Sequence, residues 1–415
     1  MAKVTVNGQL STAISPHQTK NTVTINEDYG EIEGMTREEL LQLIDKAASE
    51  GSKVLDLSGL GLEELPPEIG KCTQLQRLIL GKWIDEYEGL GNKLTALPPE
   101  IGKLTNLKIL QLGFNALSSL PDEMSQLVNL KALHLPKNQF TQLPDCIFQL
   151  HQLVFLGCRD NQIFILPPQI QNLKLLETLG LGGNQLQCLP DEIGTLQYLK
   201  GFHLWGNPIE SLPESFGKLE NLRTFSLSKM VLREIPEIIS KFSKLRCLHI
   251  WDSQITEIPE VVGKLSNLTQ LHLWNNQITE IPEVVGGKLS NLTQLHLRSN
   301  QIAKIPKVLG KLLNLTQLYL RDNQIAEIPE SLGQLSNLTQ LDLRDNQIAE
   351  IPESLGQLSN LIQLDLCNNQ IAEIPQSLGK LSNLIGINLS GNKIAEIPES
   401  LGQRISGATV EFDTA

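Results

Sequence analysis

The sequence predicts an α/β solenoid in which stacked coils line one concave parallel β-sheet. Residues 254–273, QITEIPEVVGKLSNLTQLHL, return almost unchanged at 277–297 with one added glycine, and looser copies recur every 23 residues through most of the 415-residue chain. A fixed period of about 20 to 50 residues is the mark of a solenoid. Each copy also holds an alternating LxL segment, which is typical of a strand, followed at a constant distance by asparagine.

Fifteen copies align on the pattern LxxLxLxxNxI/LxxI/LP, and together they predict a continuous solenoid over residues 52–403. One coil cannot bury its apolar face alone, whereas stacked coils bury a continuous core. The first copy starts at Ser52, and the first leucines of the others are Leu75, Leu107, Leu130, Leu153, Leu176, Leu199, Leu222, Leu245, Leu268, Leu292, Leu315, Leu338, Leu361 and Leu384.

The recurring asparagines predict a structural ladder rather than catalysis. Each follows directly after a strand, where backbone groups have lost their partners in the sheet, and an amide side chain can supply both a donor and an acceptor. The ladder comprises Asn115, Asn138, Asn161, Asn184, Asn207, Asn276, Asn300, Asn323, Asn346, Asn369 and Asn392.

These motifs resemble the leucine-rich-repeat family. The phrase LPxxIGxL at 97–104, with its variant IPxxLGxL at 351–358, resembles the 23-residue intracellular subgroup, which includes Erbin-like scaffolds, plant intracellular Ras-group proteins and the arms of bacterial Roco proteins. The resemblance covers roughly residues 53–403. It implies a horseshoe-shaped solenoid that binds other macromolecules, and it implies no catalytic activity.

The ends of the solenoid are predicted to carry caps. Thr36 and Glu39 form a capping-box pattern that starts a helix within 35–51, with apolar residues at helical spacing behind it and Gly51 at its end. Residues 404–415 continue the repeat phase and predict a C-terminal cap strand with Val410 and Phe412 at the strand positions. Residues 1–34 are expected to form a flexible tail, with a small hairpin as the alternative.

The second coil carries an insertion. Leu75 and Leu107 lie 32 residues apart, nine more than the period, and the extra residues fall within 82–91, KWIDEYEGLG. A loop at the rim of a repeat often binds a partner, so Trp83 and Tyr87 are candidates for an accessory binding loop. The alternative is a tolerated loop that folds back onto the coil.

Composition and missing motifs exclude several function classes. The net charge is −12 without a run of Lys or Arg, which argues against a nucleic-acid or anionic-membrane partner. No apolar run of 18 residues and no apolar signal region occurs, so we expect neither membrane insertion nor secretion. Six cysteines without a CxxC pair favour reduced thiols and a cytoplasmic location. Without a GxxxxGK[ST], GxSxG or HExxH motif, we expect no enzyme, no cofactor and no metal.

Two columns of residues are expected to face out from the concave side. Column one is the residue between the two strand leucines of each coil, and column two is the residue after the second leucine. Five of the seven histidines fall in column one and three of the four tryptophans in column two. Trp, Tyr and Arg most often dominate binding energy. We therefore expect a partner-binding site at His203, Trp205, His249, Trp251, His272, Trp274, His296, Arg298, Tyr319, Arg321, Asp342, Arg344 and Asp365.

Three functions remain open for this face. The first is a non-enzymatic protein-binding scaffold, with the tryptophans as anchors and the arginines as orienting contacts. The second is a receptor in which the Trp–His row stacks on a glycan or another flat ligand. The third, from the resemblance, is a stand-alone regulatory arm of a Roco-like GTPase system. Copying of one ancestral coil, or stacking between neighbouring strands, is the structural alternative for the aromatic columns.

Overall fold

The structure, a computed structural model, describes residues 22–23, 35–85, 88–404 and 409–411. The chain forms two compact units, unit 1 from Met1 to Leu222 and unit 2 from Arg223 to Ala415. Within each unit, a coil contributes one short strand to a parallel sheet and returns through a single helical turn on the opposite side. Among the described residues, no helix has the length and apolar character needed to cross a bilayer.

Unit 1 contains an α-helix and a parallel sheet. Leucines of successive coils pair in register, as in Leu133↔Leu156↔Leu179. Its elements are β1 (Thr22–Val23), α1 (Arg37–Ser49), β2 (Val54–Asp56), β3 (Arg77–Trp83), β4 (Gly89–Leu90), β5 (Ile109–Leu112), β6 (Ala132–His134), β7 (Phe155–Gly157), β8 (Thr178–Gly180) and β9 (Gly201–His203). The return turns are 3-10 helices, for example Pro99–Lys103 and Asp191–Thr195.

Unit 2 repeats this arrangement with greater regularity. Its strands are β10 (Thr224–Ser226), β11 (Cys247–His249), β12 (Gln270–His272), β13 (Gln294–His296), β14 (Gln317–Tyr319), β15 (Gln340–Asp342), β16 (Gln363–Asp365), β17 (Gly386–Asn388) and β18 (Thr409–Glu411). The return turns are 3-10 helices except for α2 (Glu283–Lys288) and α3 (Glu399–Arg404). The extra residue Gly287 lies in α2, so the turn lengthens while Leu271 and Leu295 still pair in register.

The predicted asparagine ladder is confirmed. In one coil, Asn161 Oδ1 accepts from the Phe140 amide at 3.1 Å, and its Nδ2 donates to the carbonyls of Leu135 and Cys158 at 2.9 and 3.0 Å. All eleven predicted asparagines make bonds of this kind. Asn92 has the same role in the second coil, where its Nδ2 donates to the carbonyls of Leu57 and Leu80. Asn92 was not among the predicted asparagines, because the nine-residue insertion displaces it from the repeat phase.

Both predicted caps are observed. Thr36 caps α1 with a complete capping box to Glu39, and Leu40, Ile44 and Ala47 are buried against the first coil. At the other end, Val410 of β18 pairs with Ile387 in parallel, while Phe412 lies outside the described residues. Of the predicted N-terminal tail, the structure describes only β1, which pairs in parallel with β2. The α/β solenoid with a parallel sheet, a cap helix and a cap strand is thus confirmed.

The insertion in the second coil forms a hairpin on the edge of unit 1. β3 and β4 pair antiparallel, with Lys82 opposite Leu90 and Trp83 opposite Gly89. Trp83 meets the Phe114 ring edge to face, with 4.3 Å between centroids. A Cβ on Gly89 would lie 2.1 Å from that phenyl ring, so any larger residue there would displace the ring. Tyr87, the other predicted residue of this loop, lies outside the described residues.

Candidate binding faces

Three columns of side chains line the outward face of the sheet in unit 2, here called the sheet face. Strand pairing places His249, His272 and His296 side by side, followed by Tyr319, Asp342 and Asp365, as predicted for column one. Column two runs beside them. A third column was not predicted and consists of the residues two positions before column one: Gln270, Gln294, Gln317, Gln340 and Gln363.

The column-one histidines of unit 2 form a parallel stack. The rings of His249 and His272 have centroids 4.5 Å apart with 7° between planes, and those of His272 and His296 are 4.0 Å and 5° apart. Tyr319 closes the stack edge to face at 4.4 Å. The rings of column one thus cover one another, and His249, stacked against His272, is only 9% exposed.

Burial keeps the imidazoles of His272 and His296 neutral at pH 7. It lowers the pKa of His272 to about 4, against a hydrogen bond to Gln294 that raises it. It lowers the pKa of His296 to about 3, with His272 and Arg298 acting in the same direction and a bond to Gln317 opposing them. Tyr319 Oη donates to Gln340 Oε1, so Gln294, Gln317 and Gln340 each bind the ring of the preceding coil. These three glutamines help to hold the stack in place.

The histidine stack does not form a metal cage. Imidazole lone pairs lie in the ring plane, so the nitrogens of parallel rings cannot converge on one centre. Among the described residues, no group of three or more His, Cys, Asp or Glu is arranged to hold a metal ion.

Trp251 and Trp274 of column two form a second stack, closed by a cation at each end. The indole centroids lie 4.6 Å apart with 5° between planes. Lys229 Nζ lies 5.1 Å from the Trp251 ring, and Arg298 Cζ lies 4.4 Å from the Trp274 ring. Both faces of each indole are therefore covered, and the ring edges are what remains for a ligand.

Arginine–aspartate pairs occupy the next coils of the sheet face. Arg321 Nε donates to Asp345 Oδ2 at 3.0 Å, one coil further along, so it pairs along the sheet. Arg344 instead forms a two-point contact with Asp342 of its own strand, at 2.9 and 2.7 Å, and lies 3.3 Å from Asp365. Burial raises the pKa of Asp365, partly offset by a backbone bond from Cys367 and by Arg344. These acids fix the direction of each guanidinium.

In unit 1, the outward face of the sheet carries an interrupted version of the same pattern of stacked rings. His134 and Phe155 stack at 4.4 Å with 25° between planes. Two glycines, Gly157 and Gly180, then precede His203 in column one. Trp205 lies against Gly182, where an added Cβ would fall 2.3 Å from the indole. In both units, side chains of adjacent coils pack against each other.

Trp83 of the insertion also packs against Arg159 in unit 1. The Arg159 guanidinium lies over the indole, with Cζ 3.7 Å from the ring centroid, and its nearest carboxylate oxygen, Asp160 Oδ2, is 3.9 Å from Nε. Burial lowers the pKa of Arg159, partly opposed by Asp160. The alternative of a loop folded back onto the coils therefore describes Trp83 correctly, since its ring contacts side chains of the same chain.

A shallow groove of about 890 Å³ follows the outer edge of unit 2, before the strands begin. Its lining repeats one Asn and one Thr from each NLT triplet. Asn314 Nδ2 donates to the Ser290 carbonyl at 2.9 Å, and Thr316 Oγ1 donates to the Thr293 carbonyl at 2.9 Å. These side chains hydrogen-bond neighbouring coils to each other, so we assign the groove a structural role.

Comparison with known proteins agrees with the fold. The family described as "Leucine-rich repeat region" matches residues 98–188 and 236–320, and two further leucine-rich-repeat families match 313–357 and 336–394. A leucine-rich-repeat protein of Leptospira interrogans is 32% identical over 89% of this chain and 98% of its own, with a TM-score of 0.78. The chain belongs to the leucine-rich-repeat family.

Further solved structures extend this similarity. The plant peptide hormone receptor RGFR1, solved in complex with RGF2, is 30% identical over 88% of this chain and 64% of its own, with a TM-score of 0.64. An internalin of Listeria monocytogenes, at 23% identity over 91% and 94% and a TM-score of 0.61, shares the fold. No curated protein matches the sequence. Leucine-rich-repeat proteins are in general binding modules without enzymatic activity.

Proposed function

We propose that the chain is a non-enzymatic scaffold that binds a protein partner on the sheet face of unit 2. The observation that carries this proposal is the indole pair of Trp251 and Trp274, which Lys229 and Arg298 hold edge-outward. Side chains already fixed by their neighbours lose little conformational freedom on binding, which lowers the cost of association. Trp and Arg are also enriched among residues that dominate binding energy.

The paired arginines fit the rim of such an interface. Arg321 and Arg344 are each held by carboxylates, and both remain partly exposed. A partner that brings its own acid or carbonyl therefore meets a guanidinium already oriented by hydrogen bonds. Contacts of this type favour specificity and orientation more than raw affinity.

The stacking weighs against the glycan alternative. A sugar that stacks on tryptophan needs an open indole face, and in unit 2 both faces of Trp251 and Trp274 are covered by a ring or a cation. A protein partner can use the indole edges together with the arginines. A protein therefore predicts that Trp and Arg substitutions both weaken binding, whereas a glycan predicts dependence on Trp alone.

The finer family assignment is part of the same proposal. We place the chain in the 23-residue intracellular subgroup on its LPxxIGxL phrase, and we propose a cytoplasmic location. All six cysteines lie in the described ranges and carry free thiols, and Cys188 is exposed. Free thiols of this kind are usual in reducing compartments. Fractionation of host cells, with the protein followed by immunoblot, tests the location.

Affinity capture from host lysate tests the binding proposal. The baits are the intact chain, the Trp251→Ala/Trp274→Ala double variant, and a Leu313→Ala/Ile385→Ala control that removes exposed apolar side chains elsewhere in unit 2. Circular dichroism first establishes equal folding. We expect a protein captured by the intact chain and the control but lost with the tryptophan variant. Equal capture by all three baits would contradict the proposal, and a captured GTPase would favour the regulatory-arm alternative.

A further inference from the structure

The column-one rings of unit 1 form an interrupted stack. His134 and Phe155 stack at 4.4 Å, and the phenyl ring leans over Gly157, where an added Cβ would lie 2.8 Å from Phe155 Cε1. Phe155 thus supplies the ring for the Gly157 position. His203 lies two strands further on, because Gly157, Gly180 and His203 are consecutive register partners, and its imidazole leans toward Gly201, where an added Cβ would lie 3.7 Å from Nε2.

The position between these rings is vacant at Gly180. A Cβ placed on Gly180 would find only backbone within 4 Å, namely Gly157 Cα at 3.7 Å and the Leu156 carbonyl oxygen at 3.9 Å. The neighbouring glycines differ, because Phe155 occupies the space above Gly157 and Trp205 the space above Gly182. Gly180 is therefore the floor of an open slot between the Phe155 and His203 rows.

The slot has the thickness of one aromatic ring. Adjacent strands lie roughly 4.8 Å apart, so rows two strands apart are separated by about 9.6 Å. Stacked imidazoles in unit 2 are spaced 4.0 and 4.5 Å apart, one per coil. One planar ring between the Phe155 and His203 rows would therefore meet both at ordinary stacking distance.

The walls of the slot suit an uncharged planar group. Burial lowers the pKa of His203 to about 4, with Arg159 acting in the same direction, so its imidazole is neutral at pH 7. Trp205 borders the slot on the column-two side, over Gly182, and Thr178 lies two positions before Gly180 on the same face. By register, the rings of Phe155, His203 and Trp205 and the side chain of Thr178 are thus the neighbours of the opening.

We propose that this slot binds a planar aromatic side chain of a protein partner, inserted between Phe155 and His203 above Gly180. The ring completes in unit 1 the kind of stack that His249, His272 and His296 form by themselves in unit 2. The slot does not depend on the proposed site in unit 2, and each can fail without the other.

A pair of probes tests the proposal. N-acetylphenylalaninamide carries a planar ring, whereas N-acetylcyclohexylalaninamide carries a puckered ring of similar outline that is too thick for the slot. Each is titrated into the intact chain labelled with 15N-glycine, up to the solubility limit of the probe. We expect saturable ring-current shifts of the Gly157 and Gly180 amides with the planar probe, and binding of the puckered probe roughly tenfold weaker or more.

Variants decide whether the slot is responsible. Gly180→Phe places a ring in the slot and should abolish binding of the planar probe without lowering the thermal unfolding midpoint. Should that variant not fold, His203→Ala removes one wall and should weaken binding roughly tenfold. Gly386→Ala, at another open glycine in unit 2, is the matched control and should bind as the intact chain does.

Three results would overturn the proposal. They are the absence of saturable shifts in the intact chain, equal affinity for the planar and puckered probes, and undiminished binding by Gly180→Phe. Loss of lysate capture by the Trp251→Ala/Trp274→Ala variant bears only on unit 2, so the two proposals are tested separately.

Discussion

Trp251 and Trp274 stack face to face, 4.6 Å between centroids, on adjacent strands of unit 2. The stack fixes the two rings and leaves their edges toward solvent, where the proposed partner would contact them. An alanine at either position removes a partner from the other ring as well as from any ligand. Stability and binding must accordingly be measured on the same variants.

The first prediction concerns coupling within this pair. In a double-mutant cycle, Trp251→Ala and Trp274→Ala should couple by about 0.5–1.5 kcal/mol, the usual worth of an aromatic pair. Urea unfolding followed by circular dichroism measures it. Trp251→Ala combined with Leu313→Ala is the control and should be additive, since Leu313 is exposed outside the sheet face. Coupling no larger than in the control would mean that the stack contributes no stability.

The second prediction separates two asparagines of one coil. Asn323 is buried, accepts from the Ile302 amide and donates to the carbonyls of Leu297 and Leu320, each bond 2.9–3.0 Å long. Asn323→Ala leaves these groups unsatisfied and should destabilise by about 2–5 kcal/mol. Exposed Asn314 makes one bond, so Asn314→Ala should cost about 1 kcal/mol or less. Similar midpoints of urea unfolding for the two variants would contradict the ladder's role.

The third prediction is a loss of stability in mild acid. Burial lowers the pKa of His272 to about 4 and of His296 to about 3, from 6.5. Below pH 6.5 these two histidines therefore bind protons in the unfolded chain but not in the folded chain. The stability that depends on their neutral form is fully present above pH 6.5, and it declines as the pH falls through 6.5 toward their pKa values in the folded chain.

Glutamine substitutions check this origin, because glutamine stays neutral. Between pH 7 and pH 4, His296→Gln should lose less unfolding free energy than the intact chain, and His272→Gln/His296→Gln less again. Urea titrations at a series of pH values measure the slope. Parallel pH dependence in all three proteins would assign the acid loss to other groups.

The fourth prediction compares two adjacent glycines. A Cβ on Gly286 would lie 2.5 Å from the Val308 carbonyl oxygen of the next coil, whereas one on Gly287 meets nothing within 4 Å. Gly286→Ala should destabilise, because backbone of the next coil would have to move. Gly287→Ala in α2 should be neutral or stabilising by up to about 1 kcal/mol. Thermal unfolding of both variants measures this, and a loss at Gly287 as large as at Gly286 would refute the packing argument.

Much of the fold could be predicted from the sequence, because its determinants recur at one spacing. The strand leucines, the asparagines after them, the Thr36 capping box and the strand position of Val410 all follow from local pattern and phase. Asn92 could not, since the insertion moves it nine residues out of phase. Once Leu94 is aligned with the second apolar position of other coils, the displaced asparagine becomes recognisable.

The candidate site was less accessible to sequence reasoning. Alternation indicates that His272 and Trp274 share a face, but which neighbour each ring touches depends on side-chain rotamers across coils. Stacking between neighbouring strands was therefore only one alternative in the sequence, and the cations that cover the outer indole faces, Lys229 and Arg298, were not predicted. The glutamine column was missed, although Gln270 lies two residues before His272 and alternation places both on one face. Polar residues repeated at that spacing were the available signal.

Gly287 shows that the two sides of a coil respond differently to added length. The extra residue is absorbed by a longer turn in α2, and strands β12 and β13 on either side keep their register. The turn on the back of the repeat can thus change its length without shifting the strands. A short peptide label or fluorophore tag inserted after Gly287 should leave the opposite surface undisturbed, which makes this turn the natural attachment point for biosensors built on the protein.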